Sequence, residues 1–363
     1  MMAMMVALPI LDDKPQRPVY ATGPRDLSAV KLLRISVTDR CNLRCVYCMP
    51  AQGVTFENQS DLLSAKDFIA VAKAARSIGV DHFKVTGGEP TVRGDVVDIV
   101  AGLAALEPRD LSLTTNGLLL ERLAQPLREA GLDRITLSWD SMKAEKFERI
   151  TRGDRDWTRD ETLGKRSEAA SGSYAKFQRG LEAAQRAGFE RLKINVVVIG
   201  GINDDEVADF AKLTIDHPWT IRFIEYMPLG DSVLMEDAPG YLVDNAIVKQ
   251  RIEAELGPMV SVNRESEAGV GPANVFALSG AKGRIGFISA MSKPFCETCN
   301  RLRLTATGEL RSCLFDGGEV SVLPALRPAP DAQRIIDMMR QCVAMKPEVH
   351  SQRGNRAMSQ MGG

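Results

Sequence analysis

The feature that most constrains the fold of this chain is a repeated alternation of short apolar segments with longer amphipathic ones. Six apolar segments predict strands: Lys31–Thr38, Asp81–Thr86, Asp110–Thr115, Arg134–Trp139, Arg191–Ile199 and Trp219–Tyr226. Amphipathic segments between them predict helices, several ending in glycine: Ser64–Gly79, Val96–Leu106, Leu118–Gly131 and Tyr174–Gly188. This alternation indicates an α/β fold with a parallel sheet, either a barrel or a partial barrel.

The predicted strands carry polar side chains on one face. Residues two apart on a strand share a side, and the polar sets are Arg34, Ser36 and Thr38; His82, Lys84 and Thr86; Ser112, Thr114 and Asn116; Thr136, Ser138 and Asp140; Lys193 and Asn195. A packed barrel core would be filled with branched apolar side chains. We therefore predict a polar lumen that holds a polar ligand. The alternative is a sheet with one solvated face, which parallel sheets seldom have.

Three regions are predicted along the chain. Residues 1–30 predict a disordered leader and not a signal peptide, because their apolar start lacks a basic segment and is followed by acidic residues. Residues 31–240 form the predicted barrel, with a polar, aperiodic insertion at 154–173. Residues 241–363 form a smaller region with a helix at Val243–Leu256, short strands, and a last helix near Asp331–Met345.

Charge and hydropathy narrow the function classes. The net charge of the 363 residues is -1, which does not favour a nucleic-acid partner. No apolar run approaches the roughly 20 residues of a membrane span, so we expect a cytoplasmic protein with no membrane partner. Any anion must therefore be bound by a local cluster of Arg and Lys.

Three of the seven cysteines, Cys41, Cys45 and Cys48, follow the first predicted strand directly. In a large chain that we expect to be cytosolic, closely spaced cysteines favour metal binding over disulfide formation. Three thiolates on a short loop can hold one face of an iron–sulfur cubane and leave one iron open to a small molecule. A structural zinc ion would want four protein ligands, and no other Cys or His lies nearby in sequence.

A second set consists of Cys296, Cys299 and Cys313. Again three thiols are supplied, and again a cubane with one open iron fits them. Zinc is a stronger alternative here, because the distant Cys342 or His350 could complete a four-ligand site. Otherwise Cys342 is expected to be a buried core residue.

The strand predicted between these cysteines is basic on one face. Arg301, Arg303 and Thr305 share that face, and Leu302 and Leu304 take the other. Two neighbouring guanidinium groups repel each other unless an anion lies between them, and Arg is suited to forked phosphate contacts. A solvated basic strand is the alternative.

The first cysteine loop resembles that of the radical S-adenosylmethionine (SAM) superfamily, and the Gly87-Gly-Glu-Pro90 stretch one βα unit later matches its glycine-rich motif. The resemblance implies that SAM chelates the open iron of a 4Fe–4S cluster. Reductive cleavage of SAM then releases a 5′-deoxyadenosyl radical.

From about residue 31 onward the chain resembles the GTP 3′,8-cyclase family. The resemblance is carried by the two cysteine sets, by the Leu33–Cys41 stretch and by the CxxCNRLRLT run that begins at Cys296. The resemblance implies an incomplete (β/α)6 TIM-like barrel closed by a C-terminal α+β region that carries a second 4Fe–4S cluster. It also implies abstraction of hydrogen from C3′ of GTP and addition of the C3′ radical to C8. The product is 3′,8-cyclo-7,8-dihydroguanosine 5′-triphosphate, in the first step of molybdenum cofactor synthesis.

Matched positions in that family imply a role for each site residue. The resemblance implies that the SAM cluster is ligated by Cys41, Cys45 and Cys48, and the substrate cluster by Cys296, Cys299 and Cys313. It implies that SAM is contacted by Tyr47, Gly88, Ser138 and Met227. It implies that GTP is contacted by Arg34, Lys84, Thr114, Lys193, Arg301 and Arg303. The terminal Gly362 and Gly363 would reach into the active site. Trp139 stands where the family has Leu, beside Ser138.

The resemblance also implies partners. These are a low-potential electron donor of flavodoxin or ferredoxin type, and cyclic pyranopterin monophosphate synthase, which would receive the product; a homodimer is left open. Two other functions are considered: a radical SAM enzyme that modifies peptides, and a zinc-binding interaction protein. The terminal Gly-Gly and the basic strand argue against the peptide-modifying enzyme.

Overall fold

Six parallel strands form the centre of the sheet. In the computed structural model they are β1 (Leu32–Ser36), β2 (His82–Thr86), β3 (Asp110–Thr115), β4 (Arg134–Ser138), β5 (Lys193–Val198) and β6 (Thr220–Glu225). The helices between them are α1 (Ala65–Ser77), α2 (Val96–Ala104), α3 (Leu120–Glu129), α4 (Ala144–Thr151), α5 (Ser173–Arg186) and, after β5, α6 (Val207–Asp216). The six predicted strands and the four predicted helices are confirmed to within a few residues.

The structure describes residues 25–50, 53–152, 172–230, 238–263, 270–316, 319–354 and 358–362, together with Ser232, Leu234 and Arg356. Most of the predicted leader, nearly all of the predicted insertion and Gly363 lie outside these residues. Both predicted boundaries need correction. Leu27 and Val30 are buried and pack into the core, so the end of the leader is ordered. Ser173 is the buried first residue of α5 and is no part of a solvent loop.

The C-terminal region continues the same sheet. Its elements are α7 (Ala238–Tyr241), α8 (Asn245–Leu256), β7 (Met259–Ser261), β8 (Asn274–Leu278), β9 (Arg284–Ile288), β10 (Arg301–Leu304), β11 (Glu309–Arg311), β12 (Glu319–Ser321), α9 (Leu323–Leu326), α10 (Ala332–Ala344) and α11 (Met358–Met361). The strand order is β12-β11-β10-β1-β2-β3-β4-β5-β6-β9-β8-β7, in which β10 is parallel to β1 and β9 to β6. The partial barrel is therefore extended at both edges by strands from the C-terminal region.

The two faces of the strands differ as the sequence predicts. Phe83, Val85, Leu111 and Leu113 are fully buried and belong to the core beneath the helices, where each contributes about 1.5–3 kcal/mol of hydrophobic stabilisation. Helix α1 begins at a residue that caps it, because Ser64 forms a capping box with Asp67. The apolar face thus packs outward, and the polar face turns into the lumen.

Strand register aligns the charged residues of the lumen. Arg34 of β1 pairs with Lys84 of β2 on one side and with Arg303 of β10 on the other. Lys84 in turn pairs with Ser112, which pairs with Arg134. Because paired residues on neighbouring strands point to the same face, this register brings cations from four strands to one level of the barrel.

Candidate active site

A cavity of about 1250 Å³, which includes space open to solvent, occupies the lumen. Its described lining contains seven Arg or Lys side chains, Arg34, Lys84, Arg134, Lys193, Arg222, Arg301 and Arg303, and one carboxylate, Asp110. Asp110 is already paired with Arg134, both guanidinium contacts being 2.5 Å long. The polar lumen is therefore confirmed, and it carries a large excess of positive charge.

Burial and mutual repulsion act on these cations. Burial, together with Arg301, lowers the pKa of Arg303 to about 9, and burial with Arg134 lowers that of Arg222 to about 10. Burial also holds the pKa of Lys84 and of Arg34 well below their usual ranges. Each of these groups would be stabilised by an anion in the cavity.

Hydrogen bonds orient part of this set. Lys84 Nζ donates to Thr136 Oγ1 at 3.1 Å and to Thr114 Oγ1 at 3.4 Å. Within the described ranges, several buried polar atoms of the strand faces have no hydrogen-bond partner, among them Arg222 Nε, Asn195 Oδ1 and Ser36 Oγ. Buried polar groups are nearly always paired, so these atoms fit a cavity that binds a polar ligand.

Arg222 is a residue that the sequence analysis missed. It lies on β6, two residues from Thr220 and from Ile224, on the face that includes the cavity lining. Strand alternation, the same signal that identifies the polar faces of β1 to β5, identifies it on β6. Arg134 of β4 is a second such residue, on the same strand face as Thr136 and Ser138.

The first cysteine loop is held by its own backbone. Cys48 N–H and Met49 N–H both donate to the carbonyl of Cys45, at 2.9 and 3.1 Å. The buried Arg44 donates to the carbonyl of Cys41 at 2.7 Å. Burial raises the pKa of the Cys41 and Cys48 thiols to about 12, and it holds the pKa of Cys45 well above its usual range. Metal binding would require these thiols to lose their protons, which burial alone opposes.

The glycine-rich stretch packs against the segment that leads into this loop. Gly88 N–H donates to the carbonyl of Thr38 at 2.8 Å, and Glu89 N–H to that of Arg40 at 2.8 Å. A Cβ on Gly88 would collide with the carbonyl of Arg40. The glycines therefore allow this stretch to pack directly against the backbone of Thr38–Arg40, which positions the segment that leads to Cys41.

The carboxylate of Glu89 ties β2 to β3. It accepts from Thr91 N–H at 3.0 Å, Thr115 Oγ1 at 2.7 Å and Asn116 N–H at 2.6 Å. All of its contacts are thus internal, and its role in the structure is to hold the carboxyl ends of two neighbouring strands.

The residues predicted to contact SAM lie on several elements near this end of the barrel. Tyr47 is buried and donates its hydroxyl to Asp140 at 2.8 Å, and burial raises the pKa of Asp140 to about 6. Met227 lines the cavity, and Ser138 ends β4 in register with Asn195. Trp139 points to the helices, where its ring packs on Phe177 and Phe210 at 5.1 and 5.3 Å between centroids.

The second cysteine set lines the cavity itself. Cys299 N–H donates to the carbonyl of Cys296 at 3.1 Å, which closes a turn. Burial alone would raise the pKa of the Cys299 thiol, but the cations Arg301 and Lys346 lower it to about 6. A thiolate of this kind is a suitable ligand for iron.

The residues that could complete a zinc site have other contacts. Cys342 is fully buried in the hydrophobic core, as predicted. The ring nitrogens of His350 lie 2.7 Å from the Ser351 carbonyl and 2.8 Å from the Ala290 carbonyl. Within the described residues, no three His, Cys, Asp or Glu side chains are grouped so as to hold a single metal ion. The donor sets fit iron–sulfur clusters with an open iron.

The C-terminal segment enters the lumen. The carbonyl of Gly362 accepts from Arg34 Nη2 at 3.0 Å and from Arg303 Nη1 at 2.7 Å. Gly362 has φ of +66°, and a Cβ there would lie 2.6 Å from Thr86 Cγ2 and 3.1 Å from Ser36 Oγ. Only glycine fits this position without strain.

Comparisons with known proteins agree with this geometry. A model of the radical SAM superfamily matches residues 35–214, and a model described as Molybdenum Cofactor Synthesis C matches residues 219–352. SuiB of Streptococcus suis, solved with S-adenosylmethionine, is similar in fold, with a TM-score of 0.54 and 14% identity over 78% of this chain and 60% of that one. The fold and the first cysteine loop together define a radical SAM enzyme.

Sequence relatives give the family. The chain is 41% identical to the GTP 3′,8-cyclase of Pelotomaculum thermopropionicum, over 92% of this chain and 98% of the relative. It is 42% identical to that of Geobacter sulfurreducens, over 91% of this chain and 94% of the relative. The chain belongs to the GTP 3′,8-cyclase family. None of the described helices has both the length and the apolar character that a membrane crossing requires.

Proposed function

We propose that this chain converts GTP into 3′,8-cyclo-7,8-dihydroguanosine 5′-triphosphate, the opening step of molybdenum cofactor synthesis. One observation carries the proposal: a single cavity combines seven cationic side chains with the three thiols of the second cysteine set. A nucleoside triphosphate offers charge to the cations and ring nitrogen and oxygen atoms to an open iron. Relatives 41% and 42% identical to this chain bear the name GTP 3′,8-cyclase.

The cofactors are assigned to the two cysteine sets. Cys41, Cys45 and Cys48 would hold the 4Fe–4S cluster that binds SAM, and Tyr47, Gly88, Ser138 and Met227 would surround SAM. Cys296, Cys299 and Cys313 would hold the second cluster, against the guanine. When bound, the first cluster and SAM supply a carbon-centred radical that removes the hydrogen on C3′.

The cations would bind and orient GTP. Arg34, Lys84 and Lys193 line the lumen and suit the triphosphate, together with Arg222. Thr114 accepts a hydrogen bond from Lys84 and fixes that ammonium in place. Holding both ends of the nucleotide keeps C3′ near the reacting carbon and excludes water, which lowers the entropic part of the barrier.

Arg301 and Arg303 occupy the side of the cavity next to the second cysteine set. The Arg301 guanidinium lies 4.8 Å from the centre of the Phe295 ring, which restricts its motion. Arg303 is tied to the Gly362 carbonyl. Gly362 would thus act by keeping Arg34 and Arg303 in position beside the substrate; Gly363, to which the resemblance assigns a role as well, lies outside the described residues.

The proposal extends to partners. A low-potential donor of flavodoxin or ferredoxin type would supply the electron, and a cyclic pyranopterin monophosphate synthase would take the product. The protein would work in the cytoplasm, and a homodimer is compatible with these roles.

The test is an anaerobic assay with GTP, SAM and a strong reductant, followed by mass analysis of the nucleotide products. Cys45→Ser should abolish SAM cleavage. Cys299→Ser should retain part of the SAM cleavage and lose cyclisation. Equal loss of SAM cleavage in both variants would refute this division of roles. If metal analysis finds zinc in place of iron, the result favours a zinc-binding interaction protein. If the protein holds iron clusters but GTP does not change their electron paramagnetic resonance spectra, the result favours the peptide-modifying enzyme.

A further inference from the structure

Lys346 is a buried lysine beside the second cysteine set, and no motif in the sequence singles it out. It follows α10 and is only 4% exposed. Its Nζ donates to the carbonyl of Cys299 at 2.9 Å and to the carbonyl of Arg301 at 3.2 Å, and lies 3.8 Å from Cys299 Sγ. The three donors of the ammonium group are therefore all directed at the segment that carries Cys299.

The charged surroundings of Lys346 contain thiols where a carboxylate would be expected. Among the described residues, the charges with the largest effect on it are those of Cys299, Arg301 and Cys313. A buried ammonium is costly unless it is paired with an anion and hydrogen-bonded. Among the groups named, the anionic partner can come from Cys299 as a thiolate or from a cluster that the second cysteine set ligates.

We propose that Lys346 is a positioning residue for the second iron–sulfur cluster, which it holds through Cys299 and whose reduction potential it raises. The inference rests on the proposed function, since it requires a cluster on Cys296, Cys299 and Cys313. Hydrogen bonds to ligating sulfur and nearby positive charge both stabilise the more negative, reduced state of a cluster. Lys346 supplies both to a single ligand.

Lys346 also fixes the start of β10. Its bond to the Arg301 carbonyl joins the end of α10 to the strand that carries Arg301 and Arg303. Loss of activity in a Lys346 variant would therefore not distinguish an effect on the cluster from a displaced Arg301. Arg301 also acts on Cys299, so the distinction is made in an Arg301→Ala background. A direct effect of Lys346 on the cluster lowers the reduction potential there too, whereas an effect that runs through Arg301 does not.

The experiment compares three variants of the full chain after anaerobic reconstitution. Lys346→Met removes the charge and the donors at similar length, Lys346→Arg keeps both, and Lys212→Met is the control because Lys212 is exposed and paired with Glu255. Iron and sulfide are counted, and both clusters are titrated by electron paramagnetic resonance. We expect Lys346→Met to lower the midpoint potential of the second cluster only, and Lys346→Arg to restore it.

Each outcome decides the inference. An unchanged second potential in Lys346→Met, or an equal fall in both clusters, overturns it. If Lys346→Met loses the iron of the second site, recovery of that iron in Lys346→Arg supports it, and failure to recover overturns it. Absence of a second cluster from the unsubstituted protein would instead refute the proposed function.

Discussion

Arg303 donates a hydrogen bond of 2.7 Å to the carbonyl of Gly362, although 59 positions separate the two residues in sequence. Arg34, which pairs with Arg303 across β1 and β10, bonds to the same carbonyl. The end of the described chain thus contacts two cations that are assigned to the substrate. Any change that moves this carbonyl should alter both.

The first prediction concerns Gly362→Ala. The added Cβ would collide with Thr86 and Ser36, and φ of +66° is unfavourable for alanine. We expect cyclisation of GTP to fall at least tenfold while iron content stays at the unsubstituted level, measured by product formation and iron analysis. Gly188→Ala is the control for strain alone, since Gly188 also has positive φ but has open space around its Cβ position. Full activity in Gly362→Ala would contradict the role assigned to the carbonyl.

The second prediction concerns Arg356, which holds the C-terminal segment to the β11–β12 hairpin. Its guanidinium contacts Glu309 at 2.8 Å and Glu319 at 2.9 Å, and Glu319 also pairs with the buried Arg311. Arg356→Ala should release the segment, so we expect faster limited proteolysis near the C-terminus and several-fold slower cyclisation. The substitution should lower the free energy of unfolding by about 1 kcal/mol at most, because partly exposed ion pairs contribute little to stability. Arg340→Ala, which breaks an exposed pair with Asp337, should change neither rate.

The third prediction tests the missed cation of the lumen. Arg222→Ala removes a buried charge whose Nε has no partner among the described residues. Loss of one charged hydrogen bond should weaken GTP binding by about 1–3 kcal/mol, roughly 5- to 150-fold, measured by anaerobic calorimetry. The predicted loss for Arg301→Ala is of the same order. Arg251→Ala, in an exposed pair with Asp204, should bind GTP normally; equal affinity in all three variants would exclude Arg222 and Arg301 from the site.

The fourth prediction concerns Asp67, which joins the start of α1 to the end of α9. Its carboxylate accepts hydrogen bonds from both terminal nitrogens of the Arg327 guanidinium, at 2.6 and 2.9 Å. These bonds, together with those from Ser64, lower its pKa to about 2. Asp67→Asn should reduce the free energy of unfolding at pH 7 by about 1–2 kcal/mol, since Arg327 is half exposed. A depressed carboxyl pKa stabilises above the unfolded value of about 4, and the contribution is lost between pH 4 and 2.

Denaturant unfolding of both proteins at pH 7 and pH 3 checks this dependence. The difference between Asp67→Asn and the unsubstituted protein should shrink at the lower pH. The exposed Asp337→Asn serves as control, with an expected change below about 0.5 kcal/mol. A difference that is the same at both pH values would show that the pair with Arg327 is not its source.

Local sequence patterns were enough to predict the barrel and most of the cavity. Strand alternation placed Arg34, Lys84, Thr114 and Lys193 on one face, and the structure brings them to one lumen. Alternation depends only on backbone geometry, so it survives without knowledge of the tertiary fold.

What could not be predicted depends on contacts between distant segments. Lys346 reaches Cys299 only because α10 ends beside β10, and a lysine after a helix has no local signature of that role. The pairing of β10 with β1 cannot be predicted from the sequence either. A basic strand of only 4 residues carries no information about which strand it pairs with. The order at the end of the leader is unpredictable for the same reason, because Leu27 packs in the core against a helix far along the chain.

The pairing of β10 with β1 has a consequence for how the protein is made. On the ribosome, β1 emerges early, but the strand that covers its free edge is synthesised roughly 270 residues later. Until then, an uncovered strand edge is open to pairing with other nascent chains. We expect prematurely terminated chains that lack β10 to aggregate and to depend on chaperones, whereas the finished polypeptide does not.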